Sequence, residues 1–245
     1  MALILLSRRL PYAGRAVRAG GSAIGVGGRS SMGHVAARVQ DRGLVVLPQV
    51  TTSEFAMIVS GLGRIYPHPD GDADGRTTIS PSGRRGEPGP GFTVQALGVH
   101  TDRSSLPVPP RFLGMHLVRH DASTGGFPLF ADLELLTAGL SDTEIASLWI
   151  ERQADGVRLP FRLGPSGGFR YRDDDHFRLA GPAVLVAEVR RRAARITQTV
   201  DWLRSGDAYV IDNHRVAHGR TRITDPSRVG VRILAYSPDQ TEAEL

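Results

Sequence analysis

The sequence has 245 residues, a length that suits one domain with a sizeable core, and 30 basic against 25 acidic residues give a net charge of +5. Every basic residue is Arg, so Schiff-base lysine catalysis and lysine-dependent phosphate loops are excluded. The absence of Cys excludes disulfides, thiolate nucleophiles and Cys-ligated metal centres. A metal ion would therefore need His, Asp or Glu ligands.

The N-terminal segment, residues 1–31, is rich in Arg, Gly, Ala and Ser. The first forty residues hold six Arg and no acidic residue, and the remainder is nearly neutral, so we expect neither a nucleic-acid nor a membrane partner. A transit peptide is the alternative for this segment, but we favour a disordered basic tail or a misassigned start. Residues 32–245 are predicted to form the folded domain of a cytoplasmic protein.

The first third of the domain is predicted to contain a short helix over 33–40, a buried strand over 43–48 and an amphipathic helix over 52–59. Residues 67–91 are rich in Gly, Pro, Asp and Ser, and only Arg76–Ser80 is typical of a strand. Long irregular segments in compact domains are often binding loops. A substrate lid and a mobile surface loop both fit this segment.

The rest of the chain predicts many short strands separated by turns, with helices mainly at the edges. Strands are predicted over 112–118, 125–132 after an initial turn, 156–163, 168–172, 196–202, 208–212 and 229–236, and helices over 133–140, 141–149 and 182–194. Ser141 and Glu144 fit a capping box. This pattern favours a mainly β sandwich or jelly roll with flanking helices over a doubly wound parallel sheet.

His100 and Asp102 lie two residues apart on a segment predicted to be extended, so their side chains should point to the same side. A second imidazole from a distant strand would complete a set of two His and one carboxylate, which leaves positions open on non-haem Fe(II). The stretch Asp212–Arg220 offers two candidates, His214 and His218.

Several motifs together carry a family resemblance over residues 43–236. They are His100-Thr101-Asp102, the turn Gly206-Asp207 before a strand ending Asp212-Asn213, His218-Gly219-Arg220 and a downstream Arg. In this order they resemble the Fe(II)- and 2-oxoglutarate-dependent oxygenases of the taurine dioxygenase and clavaminate synthase-like superfamily. The resemblance implies a double-stranded β-helix (jelly roll), with His100, Asp102 and His218 as catalytic iron ligands and with 2-oxoglutarate and O₂ as co-substrates.

The resemblance also implies an arginine for the distal carboxylate of 2-oxoglutarate, because guanidinium binds carboxylates bidentately. Arg232, 14 residues after His218, matches the family's spacing and is the first choice. Arg228 is the second choice, with an exposed loop arginine as its alternative. Pro128 replaces the usual Thr or Ser after the Gly-Gly turn and offers no side-chain donor, so Thr101 or Arg220 is expected to support 2-oxoglutarate instead.

The retained carboxylate of Asp102 argues for hydroxylation or desaturation, because halogenating relatives carry a small residue there. We predict a dioxygenase of specialised metabolism that hydroxylates an unactivated C–H bond of a free or carrier-linked amino-acid-like substrate, releasing succinate and CO₂. Arg170 or Arg172 is predicted to bind a substrate carboxylate. The alternatives are a non-redox, cupin-like metalloenzyme and a catalytically silent small-molecule-binding protein.

Overall fold

A computed structural model describes residues 29–81, 89–120, 122–164 and 167–240. The helices in these parts are α1 (Arg29–Arg42), α2 (Thr52–Ser60), α3 (Leu133–Thr137), α4 (Asp142–Ala146) and α5 (Ala183–Ile196). The predicted basic tail lies outside the described residues up to residue 28, and α1 begins at Arg29, three residues before the predicted domain start. No helix in the described parts is both long enough and apolar enough to cross a membrane.

Two helices begin with capping boxes, in which a hydroxyl and a glutamate satisfy each other's backbone N–H groups. Thr51 caps α2 with Glu54, and Ser141 caps α4 with Glu144, which confirms the predicted Ser141 cap. Both helix starts are therefore fixed by local sequence.

Within the described ranges the strands form three antiparallel sheets. They are β1 (Leu44–Leu47), β2 (Arg64–Ile65), β3 (Thr77–Ile79), β4 (Leu97–His100), β5 (Phe112–Arg119), β6 (Pro128–Asp132), β7 (Trp149–Arg152), β8 (Arg158–Pro160), β9 (Phe177–Ala180), β10 (Gln198–Thr199), β11 (Ala208–Asp212), β12 (Val216–Arg220) and β13 (Val229–Tyr236). The main sheet has the order β1-β11-β5-β13-β2, with β3 also paired to β13. The minor sheet has the order β10-β6-β12-β4, and the third has the order β8-β7-β9.

Strand β1 of the main sheet is buried on both faces. In β1, Val45 and Leu47 pack in a cluster with α1 and α2, whereas Leu44 and Val46 belong to the cluster between the main and minor sheets. A strand covered on both sides needs a continuous apolar run, which is what Leu-Val-Val-Leu supplies. The mainly β fold with flanking helices is thus confirmed.

In the third sheet, β8 lies within the predicted strand 156–163, but β7 and β9 were not predicted correctly. Only Asp142–Ala146 of the segment 141–149 is helical, and Trp149 begins β7. Residues 168–172 contain one isolated bridge, Phe169 to Arg162, rather than a strand, and Phe177–Ala180 forms the unpredicted β9. The physical reason is that β7 pairs with both β8 and β9, a long-range arrangement that short local patterns do not encode.

Candidate active site

His100, Asp102 and His218 converge on one buried point, where one ligand atom from each residue lies within 4.8 Å of the other two. His100 ends β4 and His218 lies on β12, and the two residues are direct partners across this antiparallel pair. Asp102 is in the turn after β4, so the turn, rather than the alternation of side chains along a strand, directs its carboxylate toward the two histidines. Asp102 Oδ1 lies 3.3 Å from His100 Nε2 and 4.0 Å from His218 Nε2.

Both imidazoles direct Nε2 toward this point, on the side of the Asp102 carboxylate. His100 Nδ1 lies 2.9 Å from the carbonyl oxygen of Gly98, which can only accept, so Nδ1 carries a proton and Nε2 is the ring nitrogen that faces Asp102. Burial and the neighbouring His100 lower the pKa of His218 to about 3, so this ring is neutral. Two imidazoles and a carboxylate are the donor set of a facial Fe(II) site.

Asp102 is held on both its backbone and its side chain. Its N–H donates to Asn213 Oδ1 at 2.7 Å, and Asn213 Nδ2 donates to the Asp102 carbonyl at 3.1 Å. Arg232 Nη1 donates to Asp102 Oδ2 at 2.8 Å. Burial raises the pKa of Asp102, but Arg232 and the two histidines outweigh it and hold that pKa well below its usual range. Oδ1 remains directed at the histidines.

Arg232 has a second partner in His68. Arg232 Nη2 lies 3.0 Å from His68 Nε2, and a guanidinium can only donate, so His68 Nε2 accepts. Burial, followed by the charges of Arg232 and Arg103, lowers the pKa of His68 to about 4. Arg232 therefore bridges a candidate metal ligand and a neutral histidine.

A cavity of about 310 Å³ opens beside the three residues, a volume at the small end of the range for small-molecule pockets. Its arginines are Arg103, Arg172, Arg220, Arg228 and Arg232. Arg228 is only 4% exposed, so the alternative of an exposed loop arginine is wrong. Its Nε is buried without a hydrogen-bond partner, and no ion pair to Arg228 is found among the described residues.

The Gly-Gly turn and Pro128 adjoin Arg228. Gly126 has a φ of +70°, and a Cβ there would lie 3.1 Å from Arg228 Nε, so glycine is needed for this close approach. Pro128 is the direct partner of Arg220 across β6 and β12, which places both side chains on the cavity face. Burial and Arg228 lower the pKa of Arg220 to about 10, which leaves it charged at neutral pH.

Two predicted site residues lie outside the cavity lining. Thr101 is buried, with its Oγ1 2.9 Å from Ser104 Oγ and accepting the N–H of Tyr171 at 3.1 Å. Arg170, 2% exposed, donates to the carbonyls of the loop 104–107. The co-substrate role of Thr101 and the substrate role of Arg170 stay predictions, and the structure places both side chains in contacts with protein groups rather than in the cavity lining. Arg172 does line the cavity, with its Nε 2.6 Å from Asp174 Oδ2.

The cavity also contains residues that sequence reasoning missed, namely His68, Arg103 and Tyr209. A signal existed for Arg103, because it directly follows Asp102. For His68 the segment 67–91 gave an indirect signal, since both described ends of that segment reach the cavity through His68 and Gly91. Residues 82–88 of this segment, for which a substrate lid and a surface loop were both considered, are outside the described residues.

Comparisons with known proteins agree with this geometry. The family model described as "Taurine catabolism dioxygenase TauD, TfdA family" matches residues 28–165, more than half of the chain. Among curated protein sequences no match is found.

Solved structures share the fold at low sequence identity. An asparagine oxygenase in complex with Fe(II), 2S,3S-3-hydroxyasparagine and succinate is 18% identical, with a TM-score of 0.66 over 85% of this chain and 78% of that one. A putative α-ketoglutarate-dependent taurine dioxygenase from Burkholderia xenovorans is 19% identical, with a TM-score of 0.63 over 87% of each chain. The non-heme iron oxygenase OrfP, in complex with Fe, succinate and (3S)-hydroxy-L-Arg, is 19% identical, with a TM-score of 0.55 over 74% of this chain and 65% of that one. These likenesses confirm the jelly-roll fold.

Proposed function

The chain belongs to the TauD/TfdA family of Fe(II)- and 2-oxoglutarate-dependent oxygenases, and from that premise we propose that it hydroxylates a C–H bond of a small amino-acid-like substrate. The observation that carries the proposal is the convergence of His100, Asp102 and His218 beside an arginine-lined cavity. Fe(II) bound there with 2-oxoglutarate would activate O₂ for C–H hydroxylation, with release of succinate and CO₂.

We assign the iron to His100 Nε2, His218 Nε2 and Asp102 Oδ1. His214, the other candidate imidazole, has its Nε2 2.8 Å from the carbonyl oxygen of Pro109 and does not line the cavity. The protein's own part is to fix the ligand geometry. Asn213 holds the backbone of Asp102, and Arg232 holds the carboxylate oxygen that does not face the histidines.

We assign the distal carboxylate of 2-oxoglutarate to Arg228 rather than to Arg232. Arg232 already donates to Asp102 and to His68, whereas Arg228 has no carboxylate partner among the described residues. A buried guanidinium without an anion is unfavourable, and a bidentate carboxylate removes that cost. This assignment reverses the order of preference that residue spacing alone suggested.

Arg220 is the residue that we propose replaces the hydroxyl missing at Pro128. It stands directly opposite Pro128 and lies near Arg228, which affects its pKa. Its guanidinium also donates to the carbonyls of Thr93 and Gln95, which ties the segment before β4 to the cavity. Arg220 would thus add a second positive charge at the distal carboxylate.

An amino-acid-like substrate is supported by two structural neighbours, whose bound molecules are a hydroxyasparagine and a hydroxyarginine. Of the two arginines predicted to bind substrate, Arg172 lines the cavity. No observation favours the two alternatives, since neither a redox-inactive metalloenzyme nor a silent binding protein requires an unpaired buried Arg228 next to the metal ligands.

The test is 2-oxoglutarate turnover by the full chain. Protein supplied with Fe(II), 2-oxoglutarate and O₂ should release succinate slowly by itself and faster when the correct amino acid from a panel is added. Zn(II) in place of Fe(II) is the control for a redox-inactive site. Protein that binds Fe(II) and 2-oxoglutarate yet releases no succinate under any condition would contradict the proposal.

A further inference from the structure

The arginines of the cavity differ in whether they have a partner. Arg232 is paired with Asp102, and Arg172 is paired with Asp174. Arg228 and Arg220 lie at the end assigned to 2-oxoglutarate. The remaining lining arginine is Arg103, for which neither a hydrogen bond from the guanidinium nor an ion pair is found among the described residues.

The guanidinium of Arg103 lies over the aromatic ring of Tyr66. The guanidinium carbon lies 5.1 Å from the ring centroid of Tyr66, which is buried and packs edge-on against Tyr236 at 5.7 Å. A cation over the ring face is attracted by the ring quadrupole, and this contact leaves the N–H groups at the guanidinium edge available for a ligand. Tyr66 therefore orients Arg103 without neutralising it.

The backbone of Arg103 is also unusual. Its φ is +56°, in the left-handed region that residues other than Gly, Asn and Asp seldom adopt. Strained backbone of this kind persists where the surroundings fix it and is often found at binding sites. Here the surroundings are the preceding residue, Asp102, and its two hydrogen bonds to Asn213. The backbone of Arg103 is therefore held next to a candidate metal ligand, and Tyr66 orients its guanidinium.

From these observations we infer that Arg103 is the specificity-determining residue and that the substrate carries an anionic group, a carboxylate, sulfonate or phosphonate, which Arg103 binds. The inference rests on the proposed function, because it takes Arg228 and Arg220 to be occupied by 2-oxoglutarate. The carboxylate of Asp102 is paired with Arg232, and the distal carboxylate of 2-oxoglutarate is assigned to Arg228 and Arg220, so neither neutralises Arg103. Arg103 remains uncompensated, and an acid fits that charge better than its neutral amide does.

The experiment compares matched acids and amides on the full chain loaded with Fe(II) and 2-oxoglutarate. In anaerobic titrations, propionate and propionamide are added while the visible absorption of the iron–2-oxoglutarate chelate is followed. In aerobic assays, amino acids and their carboxamides are compared for stimulation of succinate release. The variants are Arg103→Met, Arg103→Lys and, as a control at an exposed position outside the cavity, Arg204→Met.

We expect acids to bind or stimulate about 10- to 100-fold better than their amides, the range for losing one charge-assisted hydrogen bond. Arg103→Met should remove that preference, Arg103→Lys should keep part of it, and Arg204→Met should keep all of it. In Arg103→Met the chelate absorption without substrate and the affinity for 2-oxoglutarate should stay within about twofold, since Arg103 touches neither ligand set.

Three outcomes would overturn the inference: equal responses to acids and amides, no saturable response to any acid, or an acid preference that survives in Arg103→Met. Loss of the chelate absorption on adding propionate would mean that the anion displaces 2-oxoglutarate at Arg228 instead, and this also counts against Arg103. Absence of the chelate absorption in the unmodified protein would contradict the proposed function itself, so the two failures are distinguishable.

Discussion

The two ends of the cavity differ in whether their buried charged side chains have a partner of opposite charge. At the metal end, the carboxylate of Asp102 is paired with Arg232 and its backbone is held by Asn213. At the other end, Arg228 is buried beside Arg220 and has no carboxylate partner among the described residues. The chain thus supplies its own partners for the carboxylate where ligand geometry must be ready for a metal. It leaves a buried guanidinium without a carboxylate partner where an anionic co-substrate would bind.

The strongest test of the metal end is His100→Ala, which removes one of the three ligands. We expect the affinity for Fe(II) or Mn(II), measured by calorimetry, to fall by more than about 100-fold, because loss of outer partners alone costs 10- to 100-fold. Succinate release without substrate should disappear as well. His176→Ala, at an exposed position, is the control. Turnover at the normal rate in His100→Ala would show that the ligand assignment is wrong.

The other end is tested by Arg228→Met, which keeps a long apolar side chain and removes the charge. The affinity for 2-oxoglutarate should fall by about 100-fold, since losing one partner of a buried charge pair costs on the order of 2–5 kcal/mol. Metal affinity measured before 2-oxoglutarate is added should be unchanged. Normal 2-oxoglutarate affinity in this variant would show that Arg228 does not bind the co-substrate.

Arg232→Met tests whether Arg232 and Arg228, which are four residues apart in sequence, have different roles. Because Arg232 contacts Asp102, we expect metal affinity to fall by about 10-fold, while the affinity of the metal-loaded protein for 2-oxoglutarate changes less than in Arg228→Met. Calorimetry with Mn(II), followed by 2-oxoglutarate, measures both values. The reverse pattern would restore Arg232 as the co-substrate arginine.

The smallest expected effect comes from Pro128→Thr, which returns a hydroxyl to the co-substrate end. One added neutral hydrogen bond is worth about 0.5–1.5 kcal/mol, so 2-oxoglutarate should bind about 2- to 10-fold more tightly. Pro128→Val, which has a similar shape and no hydroxyl, is the matched control. Equal affinities in the two variants would show that Arg220 already supplies what the hydroxyl would add.

Much of the fold could be predicted because its elements are locally encoded. The buried strand β1, the capped helices α2 and α4 and the strand β13 follow from apolar runs, hydroxyl caps and turns. Strands β7 and β9 of the third sheet could not be predicted, since both are short and gain their stability from pairing with each other across more than twenty residues.

The candidate site likewise has a part that could be predicted from the sequence and a part that could not. His100, Asp102 and His218 were recognisable from residue type and order, and the structure brings them together. The roles of the arginines were not recognisable, because spacing cannot show that Arg232 reaches Asp102, that Arg228 is buried or that Arg170 is used by backbone carbonyls. Each of these facts depends on contacts between residues distant in sequence.

Whether 2-oxoglutarate binds at the Fe(II) site with the help of Arg228 is tested most directly by an anaerobic titration of 2-oxoglutarate into Fe(II)-loaded protein. Binding is followed by the visible absorption of the chelate and by calorimetry. We predict a saturable absorption with one 2-oxoglutarate per chain, at concentrations about 100-fold lower than Arg228→Met requires. No absorption and no binding heat in the unmodified protein would show that 2-oxoglutarate does not bind at this site.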